Sequence, residues 1–182
     1  AIASFALGGL VWLYELRRAR RLVPRKPHVA TVGMACLLLG LTASCSSPGP
    51  SPIRYGSDQC DYCRMTIADD KFGTELITAK GKTYKYDSIE CLAADDVTSK
   101  HIEGRVHSRW VTDFAHPGTF VEVSNAVLVA TDRQKSPMGV GLVAVTSQPE
   151  AEALVASVGG SILDWNGVKK LVAETWKLTE KQ

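Results

Sequence analysis

A repeated order of sequence patterns constrains the fold more than any other feature of this chain. Two alternating apolar stretches, 75–79 and 83–86, flank a Lys-Gly-Lys turn and predict a β-hairpin. A short helix that Asp87 or Ser88 caps comes next, and 105–112 reads as a third strand. Half of the folded body is therefore predicted as a β-β-α-β unit.

The second half of the body predicts strands at 126–131 and 141–146, a helix at 148–158 and a strand at 161–165. These are the same kinds of element in the same order. The pair Gly159-Gly160 ends the predicted helix. A final helix is predicted over 167–178. The sequence thus predicts an α+β fold of two tandem β-β-α-β units, 59–122 and 123–182, with a C-terminal helix.

The residues before this body divide into a membrane or signal segment, 1–44, and a lipidated flexible tether, 45–58. A basic region followed by an apolar stretch and small residues is typical of a secretory signal. Small residues just before Cys45 resemble the lipobox of bacterial lipoproteins, in which the cysteine is acylated and becomes the mature N-terminus. The Pro- and Ser-rich run 46–52 cannot pack and is expected to stay extended. We therefore expect a lipid-anchored protein on the periplasmic or extracytoplasmic face of a bacterial membrane.

The first residues form a separate pattern. Residues 1–14 are apolar, and an Arg-rich run follows at 15–21. This stretch is shorter than the roughly 20 residues needed to span a bilayer. It is interpreted either as the end of a longer membrane helix with a basic cytoplasmic flank or as upstream sequence that is not part of the natural protein.

The charge distribution argues against a nucleic-acid partner. The first 44 residues hold six of the 21 Lys and Arg residues and one of the 19 acidic residues. The remainder has 15 basic and 18 acidic residues, a net charge of −3. Nucleic-acid-binding proteins instead carry clusters of Lys and Arg that neutralise phosphates.

Two thiols and a thioether lie within the stretch 60–65, Cys-Asp-Tyr-Cys-Arg-Met. The spacing of Cys60 and Cys63 lets both sulfurs reach one ion from a tight turn. On an extended strand, Cys63 and Met65 would point to the same face. Thiolate and thioether donors favour Cu(I), whereas Mg²⁺ and Ca²⁺ favour oxygen donors. The stretch is therefore interpreted as a site for a soft metal ion.

Other interpretations stay open at this level. In an oxidising compartment, Cys60 and Cys63 are also typical of a structural or redox-active disulfide. Structural zinc requires four ligands, and Cys91 stands alone instead of in a second pair. Cys91 lies early in the first predicted helix, where the helix dipole favours the thiolate form. It is also explained as a small, buried apolar residue. Met138 lies in a Pro- and Gly-containing loop and is either turn filler or a soft donor.

The chain resembles the NosL family, lipoprotein copper chaperones that help to mature nitrous oxide reductase. The resemblance covers about residues 45 to 178. Its features occur in one order: Cys45; the stretch 60–65; the stretch 84–91, Tyr-Lys-Tyr-Asp-Ser-Ile-Glu-Cys; and Ser136-Pro137-Met138-Gly139 followed by Gly159-Gly160. It implies a tandem β-β-α-β fold and a binding protein, not an enzyme.

The resemblance also implies delivery of Cu(I) to the copper centres of the reductase. The implied partners are nitrous oxide reductase and its membrane maturation complex, which contains an ABC-type transporter. Cys63 and Met65 are implied as the core ligand pair and Met138 as a further ligand, while Cys60 is an additional candidate and Cys91 an accessory one. Many members carry Gly immediately before the motif Met, where this chain carries Arg64.

Two rival functions use the same cysteines. A thiol-disulfide oxidoreductase would work through Cys60 and Cys63, but a thioredoxin-like enzyme places this motif at a helix N-terminus after a strand. Here the motif precedes the first predicted strand. The second rival is a structural lipoprotein whose fold is cross-linked by a Cys60–Cys63 or Cys60–Cys91 disulfide. No phosphate-binding loop or nucleophile elbow is present in the sequence.

Overall fold

The computed structural model describes residues 49–98, 102 and 104–179. Along the chain the elements are β1 (Thr74–Thr78), β2 (Thr83–Tyr86), α1 (Ile89–Thr98), β3 (Val106–Thr112), β4 (Phe120–Glu122), β5 (Val127–Ala130), β6 (Leu142–Val145), α2 (Gln148–Val158), β7 (Ser161–Leu163) and α3 (Trp165–Trp176). This order confirms the α+β fold, the repeated β-β-α-β pattern and the C-terminal helix. The boundaries assigned to the two units stay predictions.

The strands form two antiparallel sheets. The first has the order β2-β1-β3-β4 and the second the order β6-β5-β7. Strand β4 was not predicted, because its three residues, Phe120–Glu122, are too short to show an alternating pattern. It forms an edge of the first sheet by pairing with β3.

Helix ends follow local capping chemistry. The side chain of Ser147 accepts a hydrogen bond from the Glu150 N–H, and Gly159, with φ 77°, ends α2, as the Gly-Gly pair predicted. Helix α3 begins at Trp165 and not at 167, because Asp164 caps it by accepting from the Gly167 N–H at 2.7 Å. The preceding strand consequently ends at Leu163.

One apolar cluster joins the two units. It contains Leu76, Tyr86 and Leu92 of the first unit together with Leu128 and Val168 of the second, all at most 4% exposed. Helix α1 packs on α3 within it. The N-terminal end of α1 therefore lies at a core that both sheets share.

The chain before β1 is held against the first sheet. The Ser51 N–H and hydroxyl both donate to the Glu75 carboxylate, at 2.8 and 3.0 Å. Glu75 is buried on β1, and this burial raises its pKa. Ser51, which the sequence assigned to the tether 45–58, thus contacts the body, because the buried carboxylate requires hydrogen-bond donors.

The N-terminal predictions fall outside the described residues. These are the signal segment 1–44, with its basic and apolar parts, and the lipidated Cys45. Within the described part of the chain, no helix has both the length and the apolar character that crossing a bilayer requires.

Candidate metal centre

The stretch 60–65 forms a tight hairpin loop. The Cys60 N–H donates to the Met65 carbonyl at 2.8 Å, and the Arg64 N–H donates to the Cys60 carbonyl at 3.0 Å. Arg64 takes a left-handed conformation, with φ 67°. The chain therefore reverses between Cys63 and Met65, and the extended geometry considered from the sequence is not formed.

Asp61 attaches this loop to β2. Its carboxylate accepts from the Lys85 N–H and its own N–H donates to the Lys85 carbonyl, both at 2.8 Å. The Lys85 ammonium also contacts Asp58 at 2.8 Å and, with Arg54, holds the pKa of that carboxyl well below its usual range. The loop is thus placed beside the end of β2, where α1 follows.

Three thiols and a carboxylate converge at this point. The ligand atoms of Cys60, Cys63, Asp87 and Cys91 all lie within 4.8 Å of one another. Cys63 is half-buried and the other three are buried. The hairpin loop supplies two of these groups. The start of α1 supplies the other two, because Asp87 precedes the helix and Cys91 lies in its first turn.

Local hydrogen bonds orient the groups of this thiol cluster, defined as Cys60, Cys63, Asp87 and Cys91. The Ser88 hydroxyl caps α1 by accepting a hydrogen bond from the Cys91 N–H at 3.4 Å. Ser88 is one of the two residues that the sequence predicted as the cap. The Cys63 thiol points at one oxygen of Asp87, 3.8 Å away. The other oxygen, Oδ1, is buried and has no hydrogen-bond partner among the described residues. That oxygen is free to contact a bound ion.

The three sulfurs differ in acidity. A hydrogen bond from Cys91 lowers the pKa of Cys60 to about 7, and the Cys63 N–H, 3.5 Å from the same sulfur, adds to this effect. The same contact raises the pKa of Cys91, because its proton is held between two sulfurs. Burial raises the pKa of Cys63 to about 11. A metal ion that binds all three thiolates must therefore displace protons, so its affinity should increase with pH.

The two methionines occupy different environments. Met65 is 55% exposed at the end of the hairpin loop that holds Cys63. Met138 is half-buried and packs, like Cys63, against the shared apolar cluster. It is the third residue of a turn that the Gly139 N–H closes by donating to the Ser136 carbonyl at 3.1 Å. Their roles as ligands stay predictions.

Sequence reasoning missed Asp87 as a site residue and considered it only as a helix cap. Its spacing of four residues from Cys91 is a signal that could have found it, because such a pair lies on one side of a helical turn. The two histidines that the structure describes, His107 and His116, do not belong to this cluster. His107 is exposed on β3, His116 pairs with Asp113 at 2.7 Å, and His101 lies outside the described residues.

Comparison with known proteins agrees with this architecture. The NosL family model matches residues 54–173. The chain belongs to the NosL family. The crystal structure of the copper chaperone NosL from Shewanella denitrificans superposes with a TM-score of 0.57 at 20% identity, over 65% of this chain and 95% of that one. A search among curated proteins finds no match. The family predicted from the sequence is confirmed, and the structural match shows a common NosL fold.

Proposed function

We propose that this protein is a metallochaperone that binds Cu(I) and delivers it for assembly of the copper centres of nitrous oxide reductase. The convergence of Cys60, Cys63 and Cys91 carries this proposal. Soft thiolate and thioether donors favour thiophilic ions, of which Cu(I) is one. The copper chaperone from Shewanella denitrificans, which shares the fold, supports the same role.

The graded exposure of the sulfurs suits transfer of an ion as cargo. Cys60 and Cys91 are fully buried, Cys63 is half-buried and Met65 is exposed. An ion can therefore be received at Met65 and Cys63 and released there by ligand exchange. Met138 is proposed as the further thioether ligand.

The setting of this function is proposed from the N-terminal sequence. Lipidation of Cys45 would place the body at the extracytoplasmic face of a bacterial membrane. The partners would be nitrous oxide reductase and its membrane maturation complex with an ABC-type transporter.

A thiol-disulfide oxidoreductase is the alternative, and the lowered pKa of Cys60, about 7, is the observation that favours it. Two features oppose it. The Cys60 sulfur is buried, so a disulfide substrate has no direct access to it. The motif also lies in a hairpin loop and not at a helix N-terminus.

Titration of the reduced full chain in detergent with Cu(I), against a competing chelator, tests the proposal. We expect Cys63→Ser, Met65→Leu and Met138→Leu each to weaken binding by about tenfold or more, equivalent to about 1.4 kcal/mol. Ile162→Leu is the matched control, because Ile162 is the other exposed large apolar side chain among the described residues.

Two results would contradict the proposal. If both methionine variants bind Cu(I) as tightly as the wild type, thioether ligation is wrong. If the protein exchanges disulfides rapidly with a test substrate, and Cys60→Ser abolishes this, the oxidoreductase function is favoured instead.

A further inference from the structure

Glu90 is a carboxylate with no exposed surface, in the first turn of α1 between Asp87 and Cys91. Its Oε1 accepts hydrogen bonds from the Ser136 hydroxyl and from the Leu142 N–H, the latter at 3.4 Å. Its Oε2 is buried and has no hydrogen-bond partner among the described residues. A buried carboxylate with incomplete hydrogen bonding costs stability. A buried group of this kind in a native structure requires an explanation.

Ser136 links this carboxylate to the turn that carries Met138. The buried Ser136 hydroxyl donates to Glu90 and accepts from the Gly141 N–H at 2.9 Å. The Ser136 carbonyl accepts from the Gly139 N–H, which closes the turn around Met138. One serine thus holds both ends of residues 136–141 and attaches them to α1.

The backbone at the base of this loop also depends on close packing. Gly141 has φ 79°, and a Cβ at this position would lie 1.9 Å from the Thr131 carbonyl oxygen. The Thr131 N–H donates to the Gly141 carbonyl at 3.0 Å. A side chain at position 141 would therefore clash with the Thr131 backbone, which constrains the path of the chain at the end of this loop.

The hydrogen bond from Ser136 to Glu90 joins two parts of the protein that are 46 residues apart in sequence. It ends on the helical turn that presents Asp87 and Cys91 to the thiol cluster. The other restraint on Met138 is apolar packing, which has no directional preference. A hydrogen bond has such a preference, so the contact between Ser136 and Glu90 restrains the loop in one direction.

We propose that Glu90, acting through Ser136, is the positioning residue that orients the Met138 turn toward the thiol cluster, so that the Met138 thioether and the thiols reach one copper ion. The consequence for copper rests on the proposed chaperone function. The positioning itself is a property of the metal-free protein. The two claims can therefore be tested separately.

The first test measures the Met138 methyl group by NMR in the reduced, metal-free full chain in detergent, labelled with ¹³C at the methionine methyls. Met65, which is exposed, provides a reference for an unrestrained methionine. We expect Ser136→Ala and Glu90→Leu to move the Met138 signal toward that reference. Glu90→Gln should leave it in place, because glutamine retains an oxygen acceptor of the same reach.

Thr112→Val is the matched control for Ser136→Ala. The Thr112 hydroxyl is buried in the first sheet and donates to the Gly73 carbonyl at 2.5 Å, so each variant removes one buried hydroxyl group together with its hydrogen bonds. Thermal unfolding should show similar losses for the two. If Ser136→Ala and Glu90→Leu leave the Met138 signal where it is in the wild type, the inference is wrong whatever copper does.

The second test is a double-mutant cycle of Cu(I) affinity. Ser136→Ala should weaken binding about tenfold in the wild type, as loss of Met138 does, and should cause no further loss in a Met138→Leu background. Independent, additive losses would overturn the inference. If wild-type Cu(I) binding depends on neither Cys63 nor Met138, the proposed function fails, and the NMR result alone decides whether Glu90 positions the turn.

Discussion

Arg64 adopts a left-handed backbone conformation, with φ 67°, in the loop that carries Cys63. This conformation brings Cβ close to the backbone and costs a residue such as Arg roughly 1–2 kcal/mol. Glycine avoids that cost but loses about 0.5–1 kcal/mol through the greater freedom of the unfolded chain. The Arg64→Gly variant should therefore be more stable than the Arg64→Ala variant by roughly 0.5–1 kcal/mol.

The Arg64 side chain itself contributes little to this balance. It is 62% exposed and its guanidinium lies 3.7 Å from the Asp61 carboxylate. Exposed pairs of this kind are worth about 0–1 kcal/mol. We therefore expect Arg64→Gly to raise the free energy of unfolding by about 0.5 kcal/mol and Arg64→Ala to lower it slightly.

Urea unfolding of the reduced, metal-free protein, followed by circular dichroism, measures the difference between glycine and alanine. Lys177, the other described residue besides glycine with positive φ, at 54°, should show the same sign. Lys170, an exposed residue within α3, should show the opposite sign, with glycine about 1 kcal/mol less stable than alanine. If glycine at 64 is less stable than alanine while Lys170 behaves as expected, the left-handed loop geometry is wrong.

Two further predictions concern charged groups outside the thiol cluster. The hydrogen bond to Asp113 raises the pKa of His116 above its ordinary 6.5; an NMR titration should show this, and Asp113→Asn should bring the midpoint back down. The stabilisation from His116 is complete below the ordinary pKa and is lost as pH rises through the raised one. Lys85→Met should lower the free energy of unfolding at neutral pH by about 1–3 kcal/mol, because it leaves the buried Asp58 with fewer partners. Because the pKa of Asp58 is lowered in the folded state, its contribution to stability is fully present above pH 3.8 and is lost as pH falls toward the folded-state pKa. The control is Lys170→Met, which breaks an exposed ion pair and should change the free energy of unfolding by less than about 0.5 kcal/mol. A midpoint for His116 at or below 6.5, or equal effects of the two lysine variants, would contradict these assignments.

Much of the fold could be predicted because the signals are local. Helix α2 has the predicted bounds, since Ser147 and Gly159 supply a cap and a stop within the same short segment. Helix α1 extends to Thr98, beyond the apolar residues that indicated it. The residues at its end are mostly polar, so the apolar pattern did not indicate that the helix continues. Packing of α1 against α3 stabilises the longer helix. Local pattern therefore located the elements but did not determine all their lengths.

The candidate metal site also has one part that the sequence predicted and one part that depends on the tertiary structure. The sequence by itself determined the soft donors of the stretch 60–65, because Cys60 and Cys63 are close along the chain and need only a turn to meet. Only the tertiary structure decided that Asp87 and Cys91 join them. The hydrogen bonds between Asp61 and Lys85, 24 residues apart, bring the loop to the start of α1. The hydrogen bond between Ser136 and Glu90 spans 46 residues and joins the loop between β5 and β6 to α1. No periodicity in the sequence encodes such distant pairings, since they depend on how the sheets and helices pack around their shared core.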